Sequence, residues 1–508
     1  MCIRDSTETI EPQINHSLWQ RWCEVVAQGN WSKFYKRLNW DELNITQASL
    51  ALTSLPDIDL QALPTWAQTL LEIIQTASSF DDQNLENQAK EAFSIAENQL
   101  PFVELLLPAL CVARKNLLTR LASPVLHPNY LPLNVISNTS YLNLERSLLY
   151  RLFNISGKTW EYEFARSRPL GQNLLNLLNL LNQSEKSTAD QTEIKTQYNT
   201  FVREILTKGL LIFFQKYPVL AKLIATAVDF WVEATAEFLQ RLQADLPEIK
   251  RVFQKVPSDL GKVIEIESSL SDPHNGGKTV ISLKFESGLK LVYKPKALGI
   301  EVAYTEFLNW CNHQGVPLLF KVLKVCDRQT YGWVEYVEHL PCEDEAAAKR
   351  FYQRSGMLLC LLYALRVVDC HRENLIANGE HLVLIDMETL MHQEVNAIAE
   401  LPEATEAETS VGLQFADSVL RTGLLPRWEF SKNNRNAYDM SALGSIEPES
   451  GNDIPTNVPI LNGKPLSPAR YLDEIVNGFE QMYRFLIEKR ELLLTPDSPL
   501  VQMQNQRV

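Results

Sequence analysis

The segment from Val367 to Glu388 constrains the fold of this chain more than any other. Val367-Val368-Asp369-Cys370-His371-Arg372-Glu373-Asn374 runs into two short apolar stretches, Leu375-Ile376-Ala377 and His381 to Ile385. Asn378-Gly379 divides them, and Asp386-Met387-Glu388 closes the second. Asn-Gly between apolar runs is a strong short-range hairpin signal. The predicted hairpin folds back on itself and brings Asp386 beside Asn374. Glu388 lies two residues further on, so on an extended strand it faces the same side as Asp386. The amide oxygen of Asn374 and the carboxylates of Asp386 and Glu388 are hard oxygen ligands that suit Mg²⁺. Asp369 can accept a hydrogen bond from a hydroxyl and orient it. His371 can donate to a phosphate or shuttle a proton near neutral pH. This is the layout of a phosphoryl-transfer centre.

The chain upstream supplies the rest of such a centre in order. Val263 to Glu267, Val280 to Phe285 and Leu289 to Tyr293 alternate apolar and polar residues, which predicts three strands. Ser287-Gly288 joins the last two. Lys294 ends the third, where protein kinases carry the lysine that binds the nucleotide phosphates. Its acidic partner is expected on the next helix, where both Glu301 and Glu306 qualify. Further strands are expected near Lys321 to Val325 and Trp333 to Val337, with a helix from Ala346 to Leu365 between them and Asp369. The loop from Asp272 to Thr279 joins the first two strands, where a kinase covers the phosphates. Its two glycines permit close backbone approach, but it is not a Gly-x-Gly-x-x-Gly loop. Gly277-Lys278-Thr279 imitates the end of a Walker A motif, and the match fails because position 272 is Asp and a strand follows.

Before Ile249 the pattern is helical, with apolar residues at three- and four-residue spacing, as in Leu60, Leu63, Trp66, Leu70, Leu71 and Ile74. Prolines at 101, 108, 124, 128 and 132 are expected between helices. Leu174 to Asn182 reads as a helix with a wide apolar face, and Ser184 to Thr192 as a loop. The most apolar stretch, Gly209 to Val232, is broken by Pro218 and interrupted by Lys216, Lys222 and Asp229. A buried helical hairpin is expected there, and no membrane span. The acidic run after Glu388 (Glu394, Glu400, Glu403, Glu406, Glu408) reads as a solvated connection, and Arg470 to Leu494 as a closing helix. A net charge of −14 argues against a nucleic-acid partner. The eight cysteines include no Cys-x-x-Cys pair and no Cys/His cluster, so no zinc is expected, and reduced thiols fit a cytoplasmic location.

Ser271-Asp272-Pro273-His274, Val292-Tyr293-Lys294-Pro295, Asp369-Cys370-His371-Arg372-Glu373-Asn374 and Leu384-Ile385-Asp386-Met387-Glu388-Thr389 together resemble the dehydratase region of class II lanthipeptide synthetases. Ser418 to Pro426 and Tyr438-Asp439-Met440-Ser441 extend the resemblance, which covers most of 140–508. It implies an α+β fold with a two-lobed, kinase-like core related to lipid kinases. Residues 1–250 would form a helical N-terminal region, 251–340 one lobe and 341–508 the other. It also implies that ATP phosphorylates Ser or Thr of a ribosomal precursor peptide carrying a leader, and that phosphate is then eliminated to dehydroalanine or dehydrobutyrine. Asp272, His274, Lys294, Asp369, His371, Asn374, Asp386 and Glu388 match functional positions of that family. Asp369, His371 and Lys294 would be catalytic, Lys294, Asp272 and His274 would bind ATP, and Asn374, Asp386 and Glu388 would hold Mg²⁺. The family's synthetases continue into a zinc cyclase, which is missing up to Val508. The expectation is a fragment that phosphorylates, eliminates poorly and does not cyclise. The alternatives are a phosphotransferase acting on another peptide or small molecule, and a silent scaffold that binds a leader peptide.

Overall fold

The computed structural model describes residues 16–40, 43–44, 47, 63–80, 100–121, 132–167, 188–254, 259–391, 418–426, 428–430, 437–439, 441–444, 454–504 and 506. The leucine-rich tract at 174–182, the acidic run after Glu388, and Leu60, Pro124 and Pro128 lie outside the described residues. The chain is of mixed α and β structure and divides into two units, 1–71 and 72–508.

In the first unit, α1 (His16–Ala27) and α2 (Trp31–Trp40) form a helical hairpin. Its small core is aromatic: Trp19 meets Phe34 edge-on at 5.5 Å, and Cys23 and Leu38 are buried beside them. α3 (Thr65–Ser78) follows and runs across the division between the units at Leu71.

The second unit opens with helices α4 (Val103–Leu121), α5 (Asn138–Arg166), α6 (Thr188–Glu204), α7 (Leu210–Lys216) and α8 (Pro218–Phe253). Two sequence expectations change here. Pro108 lies inside α4, because the burial of both flanks of that helix outweighs one lost backbone bond. α6 begins at Thr188, within the stretch read as a loop from its polar composition. Pro218 does break the apolar stretch: it sits at the N-terminus of α8, where a missing N–H costs nothing. Among the described residues no single helix is long and apolar enough to cross a membrane. α7 and α8 pass that test only together and are bent by 112°. α5 is clamped to α4 by Arg114, whose guanidinium reaches both oxygens of the fully buried Glu145 at 2.6 Å.

Five antiparallel strands follow: β1 (Val263–Glu267), β2 (Ile281–Phe285), β3 (Lys290–Lys294), β4 (Val325–Asp327) and β5 (Gly332–Glu335), in the order β1-β2-β3-β5-β4. β4 begins where the sequence expectation ended. Alternation sends Tyr293 and Trp333 to one face, against α8, where Asp245 accepts from the Trp333 indole at 2.8 Å and Arg241 donates to the Tyr293 hydroxyl at 2.7 Å. Val334 and Lys294 face the other way. There Val334 joins Leu298, Leu323 and Val383 in a small apolar cluster.

Helix α9 (Gly299–His313) precedes β4, and α10 (Glu345–Ala364) leads to the segment at Asp369. Asp344 caps α10 through Ala347 N–H at 2.7 Å. The expected hairpin is present as β6 (Leu375–Asn378) and β7 (His381–Leu384). Its two-residue loop is Gly379-Glu380 rather than Asn378-Gly379. Asn378 pairs with His381, and Gly379 takes the positive φ of +60° that the first loop position of such a turn requires. Arg350 and Arg354 of α10 grip the loop's Glu380 at 2.5 and 2.8 Å. Burial opposes ionisation of Glu380, but the two guanidiniums outweigh it and lower its pKa. Two short ribbons follow, β8 (Trp428–Phe430) with β9 (Ala437–Asp439) and β10 (Ile460–Leu461) with β11 (Lys464–Pro465).

The expected closing helix is α11 (Leu472–Glu488), broken at Lys489 from α12 (Arg490–Leu493), with α13 (Pro499–Gln504) beyond. α10 and α11 cross at two glycines. A Cβ on Gly356 would lie 1.9 Å from the Ile475 carbonyl oxygen, and one on Gly478 1.9 Å from that of Gln353. Only hydrogen fits at either position.

Candidate functional site

β3, the start of α9 and the open end of the β6–β7 hairpin meet at one cluster of charges. Lys294, the last residue of β3, is buried. Its ammonium donates to the Ile385 carbonyl at 2.6 Å and lies 3.4 Å from Glu301 Oε1. This settles the choice left open by the sequence: Glu301, in the first turn of α9, is 1% exposed, whereas Glu306 faces solvent. A carboxylate in the first turn also gains from the helix dipole. The second oxygen of Glu301 is buried without a hydrogen-bond partner.

Lys296 is the residue that sequence reasoning missed. Its ammonium lies 2.7 Å from Glu388, 3.3 Å from Asp386 and 3.6 Å from Glu301, so one cation ties together three acidic residues. Burial works against its charge, but Asp386, Glu301 and Glu388 outweigh that and hold its pKa above the ordinary lysine value. The available signal was its spacing of two from Lys294. Asp386 and Glu388 do come together, but for a different reason from strand alternation. β7 ends at Leu384, and the Glu388 N–H instead donates back to Asp386 Oδ1 at 3.3 Å.

The segment before the hairpin is held by its own backbone. Asn374 donates from its side chain to the Asp369 carbonyl at 2.8 Å and accepts the Ile385 N–H at 2.9 Å on its backbone oxygen. This joins the Asp369 turn to the strand that ends at Asp386. Asp369 itself has φ +63°, a left-handed conformation uncommon outside glycine. Neighbouring chain holds it there: Cys370 N–H donates to the Thr422 carbonyl at 2.8 Å, and His371 forms an antiparallel bridge with Ser441. His371 Nε2 is 3.8 Å from Asp369 Oδ1, and its Nδ1 accepts the Glu373 N–H at 3.2 Å.

Asp272 and His274 are not drawn into this cluster. Both are exposed, and among the described residues no hydrogen bond or ion pair joins them to Lys294, Asp369, Asn374 or Asp386. Their loop closes on itself through paired His274 and Lys278 backbone bonds of 2.9 Å and leans on α8, where Lys278 pairs with Glu237 at 2.7 Å. Among the described residues no group of three His, Cys, Asp or Glu side chains is placed to hold a metal alone. Two lysines, Lys294 and Lys296, and three carboxylates, Glu301, Asp386 and Glu388, instead form one network of ion pairs.

Residues 217–456 and 451–508 match the model of a family described as a domain of unknown function, DUF4135. The chain is also 26% identical over 317 residues to the lacticin 481/lactococcin biosynthesis protein LcnDR2 of Lactococcus lactis subsp. lactis. That alignment covers 55% of this chain and 33% of the relative, so the chain spans about a third of the relative's length.

Proposed function

The chain belongs to the DUF4135 family, and on that premise we propose that it is the dehydratase part of a class II lanthipeptide synthetase. Its likeness to a lacticin 481/lactococcin biosynthesis protein supports a place in lanthipeptide biosynthesis. In this reading residues 251–340 and 341–508 are the two lobes of a kinase-like core, and 1–250 are the helical N-terminal region. The observation that carries the reading is the Lys294–Glu301 pair, formed between the third strand and the following helix next to the strand end that bears Asp386. Kinases require this pair for phosphoryl transfer.

Asn374, Asp386 and Glu388 would hold Mg²⁺, which would neutralise charge on the phosphate transferred from ATP. The donors fit: oxygen ligands outnumber the cations, and one oxygen of Glu301 lacks a partner. Lys294 holds the nucleotide phosphates while Glu301 fixes its aim. Asp369 accepts the proton of a substrate Ser or Thr hydroxyl as its oxygen bonds to the γ-phosphorus and ADP leaves. Elimination then removes the Cα proton. The electron pair forms the carbon–carbon double bond, and the Cβ–O bond breaks to release phosphate. In this reading His371 moves that proton and Lys294 stabilises the departing phosphate.

The test is a mass spectrum of a ribosomal precursor peptide incubated with the chain, ATP and Mg²⁺. Phosphorylated sites heavier by roughly 80 Da, or sites lighter by one water, are expected. Asp386→Asn should abolish both. Stable phosphate adducts alone from a full-length version of the protein would favour a phosphotransferase. Binding of peptide without any mass change would leave only a leader-binding scaffold.

A further inference from the structure

A cavity of about 830 Å³ opens between α5, α8 and the β1–β2 loop. It lies on the Tyr293 face of β3, opposite Lys294, so it is separate from the cluster of charges described above. Its floor is apolar, built from Leu144, Trp231, Ile266 and Ile281. The Trp231 indole N–H is already taken by the Leu144 carbonyl at 3.0 Å, so the ring offers only hydrocarbon to the cavity. Ser268, Ser269 and Thr279 also line it.

One cation in this wall is left over. Arg151 of α5 is half-buried, and among the described residues no hydrogen bond or ion pair satisfies its guanidinium. Burial alone lowers its pKa, with no carboxylate acting against it. Of the other two cations in the wall, Lys278 is neutralised by Glu237 and Arg146 also has a partner. Gly277 lies close against Arg151, since a Cβ there would come within 2.6 Å of its Nη1, and Gly277 takes φ +83°. A half-buried guanidinium without an anion is costly, and a forked carboxylate is its natural complement.

We propose that this cavity docks an acidic segment of a peptide, with one carboxylate pairing with Arg151 and a neighbouring aliphatic side chain lying on Leu144, Trp231 and Ile281. The proposal rests on the chain being a peptide-modifying enzyme and deepens that reading. One unpaired cation matches one carboxylate. A phosphate dianion would be left half-neutralised beside Glu267, which also lines the cavity. The volume exceeds what a lone amino acid fills and is within the range of ligand pockets.

The test is selection of short random peptides on the full chain, followed by fluorescence anisotropy with one selected, labelled peptide. Selected peptides should carry Asp or Glu beside an aliphatic residue. Arg151→Gln in the protein and Glu→Gln in the peptide should each weaken binding about tenfold or more. The two changes together should cost no more than either alone, because they remove the same contact. Ala234→Trp, which fills the cavity from its wall, should also block binding. Arg151→Gln should leave the melting temperature unchanged or raise it. Additive losses, selected peptides without an acid, binding that survives Ala234→Trp, or full displacement by free glutamate would each overturn the proposal. None of these readouts needs ATP, so they stand or fall apart from the phosphorylation assay.

Discussion

Replacing Gly478 by Ala tests whether the α10–α11 crossing is set by backbone contact. The new Cβ would start 1.9 Å from the Gln353 carbonyl oxygen and must retreat to at least 3.0 Å, so the helices have to part by about 1 Å. The seam they close includes Phe351, Tyr352, Ile475, Met482 and Phe485, all nearly or fully buried. A gap of that size forfeits roughly a quarter to a half of the dispersion energy across it. Overpacking of this kind costs about 1–3 kcal/mol, occasionally more, and alanine's better helix propensity returns about 1 kcal/mol. Because the obstacle is backbone at both ends, we expect a net loss of about 2 kcal/mol for Gly478→Ala and a similar loss for Gly356→Ala. The two should be subadditive, since one separation relieves both clashes. Gly157→Ala in α5 is the control: its Cβ meets only the movable ring of Phe153 at 2.8 Å, so that variant should be neutral or slightly stabilised. Urea midpoints of the four proteins decide the matter. A Gly478→Ala protein as stable as Gly157→Ala would refute the argument. α10 ends five residues before Asp369, so on the proposed function the two destabilised variants should also phosphorylate more slowly.

Two further outcomes are expected. Asp369→Gly should raise stability by about 1 kcal/mol, because glycine takes φ +63° freely, while abolishing the proposed phosphoryl transfer. A lower melting temperature for that variant would show that Asp369 is not strained. Burial, aided by nearby Arg354 and Lys321, depresses the pKa of His381 from its ordinary 6.5 to about 4, and its Nδ1 is buried without a hydrogen-bond partner. As pH falls through this range, the unfolded chain takes up the proton first. Stability is therefore full above about 6.5 and should decline by about 1–2 kcal/mol, allowing for partial exposure, as pH approaches 4. His381→Gln should flatten that slope in urea midpoints measured at pH 7 and pH 5, and an unchanged slope would exclude the histidine as its source.

The hairpin, the three-stranded meander and Lys294 were legible because strand alternation and an Asn-Gly pair are local signals. What the sequence hid was mostly non-local. Lys296 reads as a surface charge until Asp386 and Glu388, about ninety residues away, fold onto it. Gly356 and Gly478 look like weak points in two helices, and their purpose shows only when one helix's backbone lies against the other. Arg151 gives no local sign that its guanidinium lacks a partner. The conformation of Asp369 depends on Thr422 and Ser441, which no spacing rule links to it. The error at Thr188 had a different source: polar composition concealed a helix whose exposed side needs no apolar residues.

Cys370 directly follows Asp369, yet burial pushes its thiol pKa up to about 12, and its side chain sits in the same apolar core as Leu375 and Leu424. Dehydroalanine is an electrophilic alkene that thiolates add to readily. An enzyme that makes it beside an ionised cysteine would alkylate itself with its own product. On the proposed function, a sulfur kept protonated and walled off in this way would let dehydroalanine form nearby and depart without alkylating the enzyme.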